Sequence, residues 1–238
     1  MNHDNQNADI LNQEEMGMHP IKVLVWNVQS GSSEFMNVLK EHIWLQRPTI
    51  LALAETHIAG SRAQSVYDRI GFRGCFRVEA RGFEGGIWVL WKPEEVDSTI
   101  IHHHEQYITM EVKKRRCTTW ILTVVCASPH TTQWEALWVE LHQYASRCTS
   151  PRLLAGDFNE TISLDDRNHG DPKMSQRCTR FKHWIENNGL IYLGYSGPNF
   201  TWSRGQDWNT MKQARLNRAL CNMAWRLKFP EGAVRHLL

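Results

Sequence analysis

The sequence lacks any apolar run near the roughly 20 residues that a membrane-spanning helix needs. It lacks a Cys-x-x-Cys pair: six cysteines stand singly at 75, 117, 126, 148, 178 and 221, which argues against a zinc finger or a dithiol redox motif. They read as reduced core thiols of a cytoplasmic or nuclear protein. Charge of one sign is lacking too, with 27 Lys and Arg against 25 Asp and Glu and a formal net charge of +2. That balance announces no basic arm or acidic tail, yet leaves nucleic-acid binding open. No repeat and no internal linker interrupts the chain. The opening MNHDNQNADILNQEEMGMH has neither the basic start nor the apolar stretch of a signal peptide, and residues 1–19 read as a disordered polar tail.

What is present suits a single domain over 20–238. Its 238 residues are 42% apolar and include eleven tryptophans, enough for a sizeable and largely aromatic core. IKVLVWNV (21–28) and TILALAE (49–55) are β-rich and bounded by turn residues, so both read as buried strands. Between them, 32–46 puts Phe35, Val38, Leu39 and Ile43 on one helical face, and Pro48 closes that helix. A short helix follows around 61–70. FRVEA, GGIWVLW, VDSTIIHHH, QYITMEV and CTTWILTVVCA then follow closely with short polar breaks, the pattern of an antiparallel meander.

TTQWEALWVELHQYA (131–145) is the clearest helix. Trp134, Leu137, Trp138, Leu141 and Tyr144 form its apolar stripe, and Thr132 and Glu135 have the spacing of a capping box. PRLLAGD (151–157) is another strand, and 175–188 another helix, with Gly189 as its C-terminal cap. Helices falling between strands predict an α+β domain whose sheets are covered by helices on their outer faces.

Three of these strands end in oxygen donors. IKVLVW ends in Asn27, TILALA in Glu55, and RLLAG in Asp157, with Asn159 two residues on. Alone, each fits an ordinary turn or strand end. Together, two carboxylates and two amides at one sheet edge form a set suited to a hard cation such as Mg²⁺ or Mn²⁺ and unsuited to zinc.

The ordered segments WN (26–27), AETH (54–57), GGIWVLW, CASPH (126–130), GDFNE (156–160), FTWSRG (200–205) and ARLNRALCN (214–222) carry a resemblance. The chain resembles the endonuclease/exonuclease/phosphatase superfamily, and within it the apurinic-type endonuclease domain of plant non-LTR (LINE-type) retrotransposons. The likeness covers about residues 20 to 238. It implies a four-layered α/β/β/α sandwich of two mixed sheets flanked by helices, and metal-dependent cleavage of a DNA phosphodiester. By that resemblance Glu55 is the main metal carboxylate, with Asn27 beside it as ligand or orienting group. Asp157 activates the attacking water, Asn159 holds the phosphate or the attacking oxygen, and Thr201 and Arg204 contact substrate.

The pattern also breaks. Cys126 stands where the family carries a tyrosine, and a thiol is a weaker donor than a phenol. Asn217 stands where an acid is expected, which removes a negative charge from a cation site. Gln29 replaces an aspartate that some members carry, though many retrotransposon relatives lack it too. The sequence given stops at VRHLL, where the family continues into a Ser-Asp-His segment and a last core strand; the expectation is a domain truncated at its C-terminus, with an exposed edge and lower stability.

The remaining features read plainly. HHHE (102–105) reads as an exposed strand end, with His102 and His104 on one face and His103 on the other. KKRR (113–116) reads as a solvated hairpin tip, with a DNA-phosphate contact and, last, a nuclear signal as the alternatives. Trp134 and Trp138 read as core, and so does Trp202. The sequence thus predicts a Mg²⁺- or Mn²⁺-dependent DNA-nicking endonuclease, impaired by its substitutions and truncation. It would be a monomer derived from, or part of, a longer polyprotein with a reverse transcriptase. The alternatives are a non-enzymatic DNA-binding remnant and a phosphatase acting on a small phosphoester.

Overall fold

The computed structural model describes residues 20–28, 35–80, 85–114, 119–169, 171–205, 207 and 210–237. The polar tail, Gln29, Arg115, Arg116, Cys117 and Leu238 lie outside the described residues.

In chain order the elements are β1 (Val23–Asn27), α1 (Phe35–Gln46), β2 (Ile50–Ala54), α2 (Gly60–Tyr67), β3 (Gly74–Val78), β4 (Ile87–Trp91), β5 (Asp97–His104), β6 (Tyr107–Lys113) and β7 (Trp120–Cys126). There follow α3 (Thr131–Arg147), β8 (Arg152–Asp157), α4 (Ser175–Asn187), β9 (Leu190–Tyr192), β10 (Trp202–Arg204), β11 (Lys212–Ala214), β12 (Asn217–Asn222) and α5 (Met223–Lys228). Two sheets face each other. The first has the order β1-β2-β4-β3 and the second β5-β6-β7-β8-β12-β9, while β10 and β11 form a separate hairpin. Both large sheets are mixed: β1 and β2 run parallel, as do β7 and β8, and the other pairings are antiparallel.

Strand alternation builds the layers. Ile50, Ala52 and Ala54 of β2 point between the sheets and meet Met110, Leu122, Val124 and Ala155 of the second sheet. Leu51 and Leu53 point the other way, under Phe35 and Leu39 of α1 and Ala63 of α2. On the far side Val125, Leu154 and Leu220 receive Trp134, Leu137, Trp138 and Leu141 of α3, and Phe181 and Ile185 of α4. The result is helices, sheet, sheet, helices: the expected four layers.

Several details differ from the sequence reading. The predicted meander is divided, since β3 and β4 complete the first sheet while β5, β6 and β7 open the second. Val38 is exposed, because α1 turns Phe35 and Leu39 inward and needs no wider stripe. Thr132 caps nothing: α3 begins one residue earlier, with His130 at its cap and no side-chain cap bond. Trp202 is only half buried, at the start of the β10–β11 hairpin, and Cys75 and Cys148 are half buried too. Gly189 does take the left-handed conformation past α4, with φ 59° and its N–H bonded to the Glu186 carbonyl. His102 and His104 both pack against the Tyr107 ring, while His103 meets Phe76.

Candidate active site

The parallel pairs place the site. In each, two strands finish at the same end, and sheet stacking brings the two ends together. Asn27 is the last residue of β1 and pairs with Ala54, so Glu55 follows directly beside it. In the second sheet Cys126 ends β7 opposite Asp157, the end of β8. Asn217, the first residue of β12, pairs with Asp157 from the other side.

Side chains close the gap between the sheets. The amide of Asn27 donates from Nδ2 to Asp157 Oδ2 at 3.0 Å. The Cys126 thiol donates to Glu55 Oε1 at 3.3 Å, and His57 Nε2 lies 2.7 Å from Glu55 Oε2. Asn27, Glu55 and Asp157, far apart in sequence, therefore share one cleft.

The local backbone is built for this. Gly156 has φ 142°, and a Cβ there would collide with the Val125 carbonyl oxygen, so only glycine lets β8 lie this close to β7 before Asp157. Glu55, His57 and Asn159 have φ values of 54°, 52° and 48°, a region costly for residues with a Cβ and concentrated here around the site. Asn159 folds back: its N–H donates to Asp157 Oδ1 at 2.8 Å and its side-chain amide to the Ala127 carbonyl.

The electrostatics are distinctive. Asp157 is 5% exposed. Burial pushes its carboxyl up to about 6, assisted by the neighbouring Glu55 and opposed by hydrogen bonds from Asn159 and Asn27. The Cys126 thiol is pushed well above its ordinary range by burial, then by the negative charge of Glu55 and Asp157. It stays a neutral donor. Asn27 Oδ1 is buried without a partner, an orphaned acceptor beside two carboxylates.

The other predicted residues sit further out. Thr201 Oγ accepts the N–H groups of Leu216 and Asn217, both at 3.0 Å, so its hydroxyl fixes the turn into β12. Arg204 ends β10 and is exposed. Three supporting groups carry no role in the sequence reading. His57 was visible in AETH, but its hold on Glu55 depends on the left-handed turn. Asp166 binds both Arg215 and Arg218, tying the segment after β8 to the start of β12. Glu160, the last letter of GDFNE, is fully buried and pairs with Arg177 Nε of α4 at 2.8 Å. Its role is structural.

The two-sheet sandwich thus gathers carboxylates and amides at the ends of its parallel strands. The chain belongs to the Endonuclease/Exonuclease/phosphatase family, whose model matches residues 24–227. No curated protein matches by sequence. Among solved structures the chain is similar to the endonuclease domain of TRAS1, a telomere-specific non-LTR retrotransposon, at 15% identity over 86% of each chain with a TM-score of 0.62. It is similar to an AP endonuclease from Archaeoglobus fulgidus at 15% identity, covering 85% of this chain and 87% of that one with a TM-score of 0.63. The AP endonuclease LMAP from Leishmania major shares 12% identity over 86% of this chain and 79% of its own, with a TM-score of 0.64. The fold is thus that of nucleases and phosphoesterases. No described helix is long and apolar enough to cross a membrane.

Proposed function

We propose that the chain is a Mg²⁺- or Mn²⁺-dependent phosphodiesterase of the DNA-nicking endonuclease type, with weakened activity. The observation that carries this reading is the meeting of Asn27, Glu55 and Asp157 in one cleft. The donors fit a hard cation: they are oxygens, and Asn27 Oδ1 is buried and unused. Among the described residues no three His, Cys, Asp or Glu side chains form a cage, so a bound ion would keep few protein ligands. Glu55 and Asn27 Oδ1 would hold it, and its chemistry would be to neutralise the phosphodiester charge and stabilise the leaving oxygen.

The chain's own groups supply the rest. Asp157, held near 6, is ionised at neutral pH yet basic enough to take a proton from an attacking water. Asn27 holds one carboxylate oxygen of Asp157 and the Asn159 N–H the other, which fixes the orientation of the base. Cys126 is the reason to expect weak turnover. Its short thiol engages Glu55 where a family tyrosine would reach toward phosphate. Asn217 beside Asp157 supplies no negative charge to the cleft.

Nicking of supercoiled plasmid with Mg²⁺ tests this reading. Slow cutting abolished by Glu55→Ala and by Asp157→Ala is expected; cutting that survives both would refute it. A second reading, DNA binding without turnover, is favoured because Cys126 and His57 already engage both oxygens of Glu55. Salt-dependent DNA binding unchanged by Glu55→Ala, with no cutting, would select it.

A further inference from the structure

The end of β8 opposite Asp157 holds a buried cation. Arg152 is the first residue of β8 and shares the face of Leu154, which turns toward α3 and α4. It is 7% exposed, its Nε is buried without a hydrogen-bond partner, and among the described residues no carboxylate pairs with it. A buried guanidinium left without an anion is a costly arrangement. Burial pushes its pKa below the ordinary arginine value, and the groups that oppose that drop are the Cys148 thiol and the Tyr144 phenol.

Both belong to the C-terminal end of α3. Cys148 caps the helix, and Tyr144, one turn earlier, hydrogen-bonds its thiol. Burial, then that bond, pushes the phenol up to about 12, so it stays a neutral donor. Cys148 is half buried, within reach of a small solute. Of the other described cysteines, Cys126, Cys178 and Cys221 are buried. The half-buried Cys75 has its thiol pushed up to about 11 by burial, and the Arg77 beside it is paired with Glu79. Among the described cysteines, Cys148 alone combines exposure with a neighbouring unpaired cation, the setting in which thiols react.

We propose that Cys148 is a site of reversible oxidation by hydrogen peroxide, and that Arg152 receives the sulfenate it forms. The sulfur attacks one peroxide oxygen; an S–O bond forms and the O–O bond breaks. The thiol proton leaves with the departing hydroxide as water, the sulfur loses two electrons and the peroxide gains them. The sulfenic acid then gives its proton to solvent and ionises against the guanidinium, which gains the negative partner that it lacks, with the Tyr144 phenol as a second donor. The negative end of the α3 dipole disfavours an anion here, so the reaction depends on Arg152. A thiol reductant returns the starting thiol. The modified residue ties the end of α3 to the start of β8.

The test treats the full chain with hydrogen peroxide, traps sulfenic acid with dimedone, and reads each cysteine by peptide mass spectrometry. Cys148 should be labelled about tenfold faster than Cys75. Arg152→Met, which keeps an apolar stem, should slow labelling of Cys148 about tenfold and leave Cys75 unchanged. Peroxide should also raise the melting temperature by about 2–4 °C, an increase reversed by dithiothreitol and absent in Cys148→Ser. The comparison with Cys75 and the melting curves keep the test valid if Arg152→Met fails to fold. Equal labelling of Cys75 and Cys148, a folded Arg152→Met that labels as fast as wild type, or a melting increase that survives Cys148→Ser would overturn the proposal. So would a melting temperature that falls on oxidation of Cys148.

Discussion

Asp157→Asn should stabilise the protein, and the gain should depend on pH. The wild-type carboxyl is buried and raised from 3.8 to about 6. The folded protein therefore binds the proton more tightly than the unfolded chain, and its stability falls as pH rises from 3.8 toward 6, then levels off. The shift corresponds to a penalty of about 3 kcal/mol for the ionised form above pH 7 and about 1 kcal/mol near pH 4.5. Asparagine removes the charge and keeps an acceptor for the Asn159 N–H. Flipping the Asn27 amide lets its orphaned Oδ1 accept from the new side-chain NH₂, so the cross-sheet contact survives. Urea unfolding of both proteins in EDTA should show the variant ahead by about 3 kcal/mol near pH 8 and by about 1 kcal/mol near pH 4.5. Added Mg²⁺ should narrow the gap near pH 8, because a bound cation favours the ionised carboxylate. A variant equally shifted at both pH values, or less stable than wild type near pH 8, would refute the buried, charge-penalised Asp157.

Other expectations follow from single contacts. Gly156→Ala should cost about 1–3 kcal/mol or more, from the collision with the Val125 carbonyl and the positive φ, and thermal unfolding will show it. Leu137→Ala empties a site between α3 and the second sheet and should cost about 2–5 kcal/mol in chemical denaturation. Glu160→Ala leaves Arg177 without its buried partner and should cost about 3 kcal/mol by the same assay, with no direct effect on metal binding. Asn217→Asp places a third carboxylate opposite Asp157 and should tighten Mn²⁺ binding about tenfold, read by calorimetry.

The strand ends were legible because two signals coincide in them. Apolar runs such as ILALA and RLLAG mark strands buried on both faces, and the polar residue that stops each run marks the sheet edge. Trp134 and Trp138 were legible for a similar reason: a helical stripe of large apolar residues has only the core to face. Which sheet each middle strand joins was not legible, since β3 to β7 all read as strands and alternation does not name a partner. The exposure of Val38 escaped because a stripe fixes the direction of a helix face but not its width. His57 and Asp166 escaped because their roles arise from a left-handed turn and from contacts across dozens of residues.

The proposal at the centre is that Glu55 and Asn27, meeting Asp157 in one cleft, hold a divalent cation. Mn²⁺ binding followed by electron paramagnetic resonance tests it most directly. One ion per chain, lost in Glu55→Gln and weakened in Asn27→Ala while both variants remain folded, is the predicted result. Mn²⁺ binding that is absent in the wild type, or unchanged by either substitution, would contradict the account.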